Sequence, residues 1–137
     1  MSEATELQRR MFEAVRAYDL AALRSLYHAD HVYRGPDGVV QAGADAGVAA
    51  VESYRGGFPD WDFDLLSTYE CGDVAVSEVR TRGTHLRDLA DLPATGNRFE
   101  LLACNVVEAR DGRIHRERDY YDTLLLMRQL GMVPSLR

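Results

Sequence analysis

Residues 98–131 read RFELLACNVVEARDGRIHRERDYYDTLLLMRQLG. Apolar and polar side chains trade places along 98–110 and again from 113, as in strands with one buried face. Asp111-Gly112 between the two runs is a strong short-range hairpin signal. The loop is expected to comprise residues 110–112, a type I turn closed by Gly112 in the left-handed region, where glycine meets no steric cost. That loop sets Ala109 opposite Arg113, Asn105 opposite Glu117 and Ala103 opposite Asp119. Strand side chains alternate faces, so Asn105, His115, Glu117 and Asp119 are expected on the face that carries Phe99, Leu101 and Val107. A carboxylate and an amide on an otherwise apolar face is the pattern of an acid/base site. The register decides this, because a slip of one residue sends Asp119 to the other face. Beyond the hairpin, Asp122 is placed to cap a helix over 123–130, and Gly131 to end it.

Upstream of the hairpin, residues 74–85 read as another strand, ending in RTRGTHL (80–86). Ala75, Ser77, Val79, Thr81, Gly83 and His85 fall on one side of it, and Glu78, Arg80 and Arg82 on the other. Residues 87–97, with Pro93 and Gly96, form a loop. Before the turn at Gly72-Asp73, Trp61, Phe63, Leu65 and Tyr69 alternate with Asp62, Asp64 and Thr68, which predicts a strand with one buried side.

The first half of the chain is helical. Leu7, Met11, Val15 and Tyr18 recur at helical spacing over 3–17, with Gln8, Arg9, Arg10 and Glu13 mostly on other faces. Asp19 can cap a second helix carrying Leu20, Leu23 and Tyr27. A short strand is expected over 30–35, a turn at 36–38, and a third helix over 43–55 that Gly56-Gly57 ends. His28 and His31 make an H-x-x-H pair, but the second falls outside the helix and no third ligand follows, so a metal site is not expected.

Composition narrows the function classes. The 137 residues carry a net charge of −6, and no basic stripe points to nucleic acid. No apolar run approaches the ~20 residues of a membrane span, and the polar start MSEATELQRR lacks a signal-peptide core, so a cytoplasmic protein is expected. All sixteen basic residues are arginine, which excludes Schiff-base chemistry on a lysine side chain. Cys71 and Cys104 lack metal-like spacing and read as buried free thiols. A single domain over 1–137 is expected, of α+β class: three N-terminal helices packed on a curved, mainly antiparallel sheet, with a short C-terminal helix. Such a bent sheet with helices across its mouth forms a cone with a pocket inside.

Six short motifs then occur in order: Phe58-Pro59-Asp60, Gly83-Thr84-His85, Pro93-Ala94-Thr95-Gly96, Asp111-Gly112-Arg113-Ile114, Asp119, and Gln129-Leu130-Gly131. Together they resemble the SnoaL-like polyketide cyclase family, within the NTF2-like superfamily of cone folds. The resemblance implies intramolecular aldol condensation of a polyketide ester without a cofactor. It implies Asp119 as the acid/base, Asn105 at the neighbouring-strand position, His85 in the Gly-Thr-His motif, and Tyr33 at an aromatic pocket position. The family usually carries an aromatic residue just before that aspartate; here it is Arg118.

The expected mechanism is proton abstraction alpha to a carbonyl by Asp119, with Asn105 or His85 donating to the enolate. Trp61 and Phe99 are core or pocket wall. Each polar candidate has a plainer role open to it: Asp119 an exposed aspartate paired with an arginine, Asn105 an amide satisfied within the sheet, and His85 a strand-end histidine bonding loop backbone. Asp122 is read as a helix cap, and His115 with Glu117 as a structural polar pair at the cone's edge. Two alternatives to a cyclase stand: epoxide opening or isomerisation, with Arg118, Asp119 and a second acid orienting a water, or a non-catalytic small-molecule binder. The expected partners are a small apolar or polyketide-like substrate and a second copy of the chain. The latter would cover an outer strip of Leu102, Cys104, Val106 and Ile114.

Overall fold

The structure, a computed structural model, describes residues 2–133. Its hairpin joins β5 (Arg98–Arg110) to β6 (Arg113–Tyr121). Both Asp111 (φ 53°) and Gly112 (φ 74°) lie in the left-handed region. Two such residues in succession make a two-residue primed turn, whose twist matches that of paired strands. The three-residue loop expected from sequence is therefore corrected, and Arg110 stands opposite Arg113. A bulge then interrupts the ladder: Ala109 pairs with Ile114 but Glu108 with Arg116, leaving His115 without an opposite residue.

Each event moves the register by one residue, and the two add. Asn105 pairs with Asp119 and Val107 with Glu117, two positions from the expected pairing. An even displacement restores the faces, so Asn105, Glu117 and Asp119 all point inward. Between the two shifts the parity is odd, and there the expectations fail. Ile114, assigned to the outer strip, is wholly buried in the core. His115 leaves the inner face and sits in the bulge, its ring edge-on to His28 at 5.2 Å.

The remaining strands are β1 (Tyr27–Arg34), β2 (Val40–Ala42), β3 (Asp62–Cys71) and β4 (Val74–Thr84). They form one six-stranded sheet in the order β2-β1-β6-β5-β4-β3, antiparallel except where β1 runs parallel to β6. β1 begins earlier than expected, directly at the end of the second helix, and brings both His28 and His31 into a strand. The short edge strand β2 was not anticipated. A further bulge in β3 leaves Leu66 as the extra residue between Leu65 and Ser67. Phe63 before it is buried, but Tyr69 after it is 59% exposed on the outer face, against the expectation from simple alternation. Bulges in three strands increase the local twist and bend the sheet. Cys71 is exposed and Cys104 only half-buried, so neither is the buried thiol expected.

Four helices complete the fold of the described residues. α1 (Glu3–Ala17) buries Ala4, Leu7, Gln8, Met11, Ala14 and Val15, an i, i+3, i+4 stripe. Gln8, expected on another face, is thus part of the buried stripe, at 1% exposure. α2 (Leu20–Leu26) is capped by Asp19, whose carboxylate accepts from Ala22 N–H at 3.0 Å. α3 (Ala44–Gly57) approaches β1 closely at Gly47, where a Cβ would stand 2.8 Å from Tyr27 Cε2 and 2.9 Å from His31 Cε1. α4 (Thr123–Gln129) is capped by Asp122, which accepts from Leu125 N–H at 2.9 Å.

Apolar burial falls into two clusters. One joins α1, α2 and α3 to the sheet through residues such as Leu7, Leu23, Tyr27, Phe63 and Val107. The other gathers Phe58, Phe99, Leu101, Leu126 and Leu130 under α4. Each fully buried side chain of this size contributes about 1.5–3 kcal/mol. Trp61 packs against both clusters, and the space between them is left open as a cavity.

Candidate active site

The cavity encloses about 120 Å³, and its wall is mostly aromatic and aliphatic, including Phe12, Val51, Trp61, Phe63, Phe99 and Leu101. Its polar side is built by β6, whose inward residues Glu117, Asp119 and Tyr121 follow one another along the strand. Asn105 on β5 stands directly across from Asp119. Tyr33 reaches in from β1, the parallel neighbour on the other side.

Asp119 is gripped by two donors. Tyr33 Oη donates to Oδ2 at 2.8 Å, and Asn105 Nδ2 donates to Oδ1 at 2.7 Å. Burial is the largest influence on its carboxyl and the nearby Glu117 charge the next; together they push its pKa up to about 7 against the opposing pull of the two hydrogen bonds. A carboxyl that titrates there can exchange a proton near neutral pH. Tyr33 itself is held far above the ordinary phenol range by burial and by the charges of Asp119 and Glu117, so it remains a donor.

The amide of Asn105 is oriented from behind. Gln8 Nε2 donates to Asn105 Oδ1 and to its backbone carbonyl, both at 3.0 Å. Ser77 Oγ donates to Gln8 Oε1 at 2.6 Å and lies 2.8 Å from Thr68 Oγ1. With its oxygen engaged, Asn105 must turn its NH₂ toward the carboxylates, and it also donates to Glu117 Oε2 at 3.0 Å. Both amide protons are then engaged, which corrects the expectation that Asn105 could donate to an enolate. Glu117 is a buried wall residue of the cavity and not an edge residue. Its Oε1 lies 3.5 Å from Nε2 of His31, a wholly buried ring stacked on Tyr27 at 3.9 Å.

Of the residues expected at the site, Asp119, Asn105, Tyr33, Trp61 and Phe99 line the one cavity. His85 does not. It is wholly buried beside Phe58, at 5.5 Å between rings, outside the cavity wall. Its Nδ1 meets Thr95 Oγ1 at 3.2 Å and the Thr95 N–H at 3.4 Å, and its backbone bonds Asn97 and Gly96. His85 therefore pins the loop after β4. The neighbouring motifs serve the same purpose: Asp60 accepts from both the N–H and the hydroxyl of Thr84 at 2.7 Å. Arg118 points to the outer face and bridges Glu108 there. Among the described residues, no three His, Cys, Asp or Glu side chains converge to hold a metal ion.

Gln8, Tyr27, Tyr54 and Tyr121 also contribute to the site and were not among the residues expected there. Tyr27, Tyr54 and Tyr121 line the cavity, and Tyr54 Oη lies 2.6 Å from Tyr121 Oη. One signal for Gln8 was available: it stands one residue after Leu7 and three before Met11, within the arc that the helix buries.

Over residues 5–130 the sequence matches the family model of SnoaL-like polyketide cyclases. The chain belongs to the SnoaL-like polyketide cyclase family. Within it, this SnoaL-like chain is 28% identical over 134 residues to the aklanonic acid methyl ester cyclase DnrD of Streptomyces peucetius, a match spanning 96% of this chain and 92% of DnrD. A SnoaL-like protein of Jannaschia sp. CCS1 superposes with a TM-score of 0.88 at 18% identity, covering 96% of this chain and 94% of that one. IdmH of Streptomyces antibioticus superposes with a TM-score of 0.81 at 25% identity, covering 95% and 99%. Four helices on a curved, mostly antiparallel open sheet are the NTF2-like fold that the motifs implied.

Proposed function

We propose that this SnoaL-like protein closes a ring of a polyketide ester by intramolecular aldol condensation, with Asp119 as the acid/base and no cofactor. The observation that carries this reading is the Asp119 carboxyl: sunk in an aromatic cavity, raised to about 7, and fixed by Tyr33 and Asn105. As a carboxylate, Asp119 removes a proton from a carbon alpha to a carbonyl. The enolate carbon then attacks a second carbonyl of the same molecule, and the resulting alkoxide takes up a proton. Tyr27, which lines the cavity with its hydroxyl unpaired among the described residues, is the donor suited to the enolate oxygen now that Asn105 is engaged and His85 lies elsewhere. The aromatic wall suits a flat substrate of low polarity.

The epoxide reading requires Arg118, Asp119 and a second acid around one water. With Arg118 bridged to Glu108 on the outer face, that reading lacks its cation. The test uses the ester that DnrD is named for. Wild-type protein should convert aklanonic acid methyl ester to a ring-closed isomer of unchanged mass. Asp119→Asn should abolish conversion and still bind the ester with similar affinity. Equal turnover by both proteins would sink the role of Asp119. Binding without any turnover by the wild type would support the binder reading instead.

A further inference from the structure

Beyond Asp119, the cavity wall holds a second functional unit. Its polar groups can be followed donor by donor. Tyr33 donates to Asp119, both N–H groups of Asn105 go to carboxylates, and Trp61 Nε1 donates to Thr81 Oγ1 at 2.8 Å. Tyr54 and Tyr121 differ: they hydrogen-bond to each other, which engages one of their two phenol protons and leaves the other free. Neither hydroxyl has another partner among the described residues. Burial holds both phenols above their ordinary range, so both stay protonated at neutral pH. Thr81 also has a free hydroxyl proton, but an alkyl alcohol is a weaker donor to a developing oxyanion than a phenol.

Placement assigns the pair a step. Tyr121 follows Asp119 by two residues on the same face of β6, a backbone separation of about 6.6 Å. In an aldol step the base touches the carbon that becomes the nucleophile. The electrophile's oxygen lies one new C–C bond and one C–O bond further on. A base and a phenol at this spacing can bracket those two atoms. Tyr27 stacks on His31, which faces Glu117, so it stands toward the other end of the Glu117–Asp119–Tyr121 row.

We propose that Tyr54 and Tyr121 act together as the electrophile clamp: the free phenol proton of the pair binds the attacked carbonyl oxygen. As the C–C bond forms, the C=O π pair moves onto that oxygen. The phenol supplies its proton to the alkoxide, and the phenolate, still hydrogen-bonded to its partner tyrosine, is reprotonated from solvent. The proton taken from carbon stays on Asp119 until it too is released. This assignment rests on the aldol reading above.

The two halves of the reaction can be read separately in D₂O with the same polyketide ester. Loss of the alpha C–H signal by NMR reports proton abstraction, and chromatography of the closed ring reports C–C bond formation. Either single Phe variant leaves one hydroxyl in place, so the decisive protein is Tyr54→Phe/Tyr121→Phe. It should lose on the order of 10²-fold or more in ring closure, the effect of removing an oxyanion donor. It should still exchange the alpha proton at a rate within a few-fold of wild-type turnover, and Tyr121→Phe alone should lose less. Asp119→Asn should lose exchange and closure together. Closure at the wild-type rate by the double variant overturns the clamp and leaves the aldol reading standing. Equal losses of exchange and closure in the double variant also overturn it, since the pair would then only support Asp119. A wild type that neither exchanges nor closes this ester overturns the aldol reading and the clamp with it.

Discussion

Replacing Asp119 with Asn tests the electrostatics of the cavity without any substrate. Wild-type Asp119 titrates near 7 when folded and near 3.9 when the chain is unfolded. Between these values the folded state holds a proton that the unfolded state has lost. A group whose folded pKa is raised contributes fully below the unfolded pKa, and that contribution is lost as pH rises through the folded one. Three units at about 1.36 kcal/mol each give a loss on the order of 4 kcal/mol between pH 4 and pH 8. Asn has no such titration and keeps groups able to meet Tyr33 and Asn105. Urea unfolding of both proteins at pH 4.5, 6, 7 and 8 measures the difference directly. The variant should gain on the wild type steadily from pH 4.5 to 7, then run parallel above it. A stability difference independent of pH, or one that moves toward the wild type as pH rises, would refute the account of a buried carboxyl beside Glu117. The rate of any reaction that uses Asp119 as a base should rise across the same interval, because only the carboxylate accepts a proton.

Three further outcomes are expected. Gly47→Ala forces a methyl against Tyr27 and His31 and should destabilise by about 1–3 kcal/mol in urea; an unchanged midpoint would show that α3 can shift away from β1. His85→Ala should lower stability by a similar ~1–3 kcal/mol through the loop it pins, and leave ester turnover within a few-fold of wild type; a large loss of turnover at unchanged stability would return His85 to the reaction. On the outer face, Leu102 is 66% exposed beside Tyr69, Cys104 and Tyr120, with charges of both signs around them. Val106, by contrast, is covered by its neighbours at 8% exposure, so Leu102→Glu is the sharper probe of pairing through this face. Wild type should run as a dimer burying about 1,200 Å² or more, and the variant as a monomer; a wild type sizing at 15.4 kDa would refute the pairing.

Much of this site is legible in the sequence, and the reason is parity. Alternation put Asn105 and Asp119 on one face, and the error in their register was even, so the faces survived. Ile114 and His115 lay between the two shifts and were misplaced for the same reason. Tyr69 was misplaced by a bulge that apolar alternation does not reveal. The Gly-Thr-His motif was conspicuous, but its prominence follows from holding a loop: Gly83 clears Phe99 and Phe58, Thr84 binds Asp60 and His85 binds Thr95. The tyrosines were hidden by their amphipathic character, since an aromatic residue on an apolar face gives no sign of whether its hydroxyl is used. Gln8 was hidden because a polar residue on an amphipathic helix ordinarily faces water.

The two offsets of the β5–β6 hairpin behave like a pair of compensating frameshifts. The short turn displaces the ladder once, the bulge at His115 displaces it again, and Asp119 returns to phase. Were His115 drawn into the ladder opposite Glu108, Arg118 would stand opposite Asn105 and Asp119 would turn to the outer face; deleting His115 instead closes the bulge and leaves Asp119 opposite Asn105. Along this hairpin the identity of the residue facing the cavity is therefore set by a count as much as by a side chain.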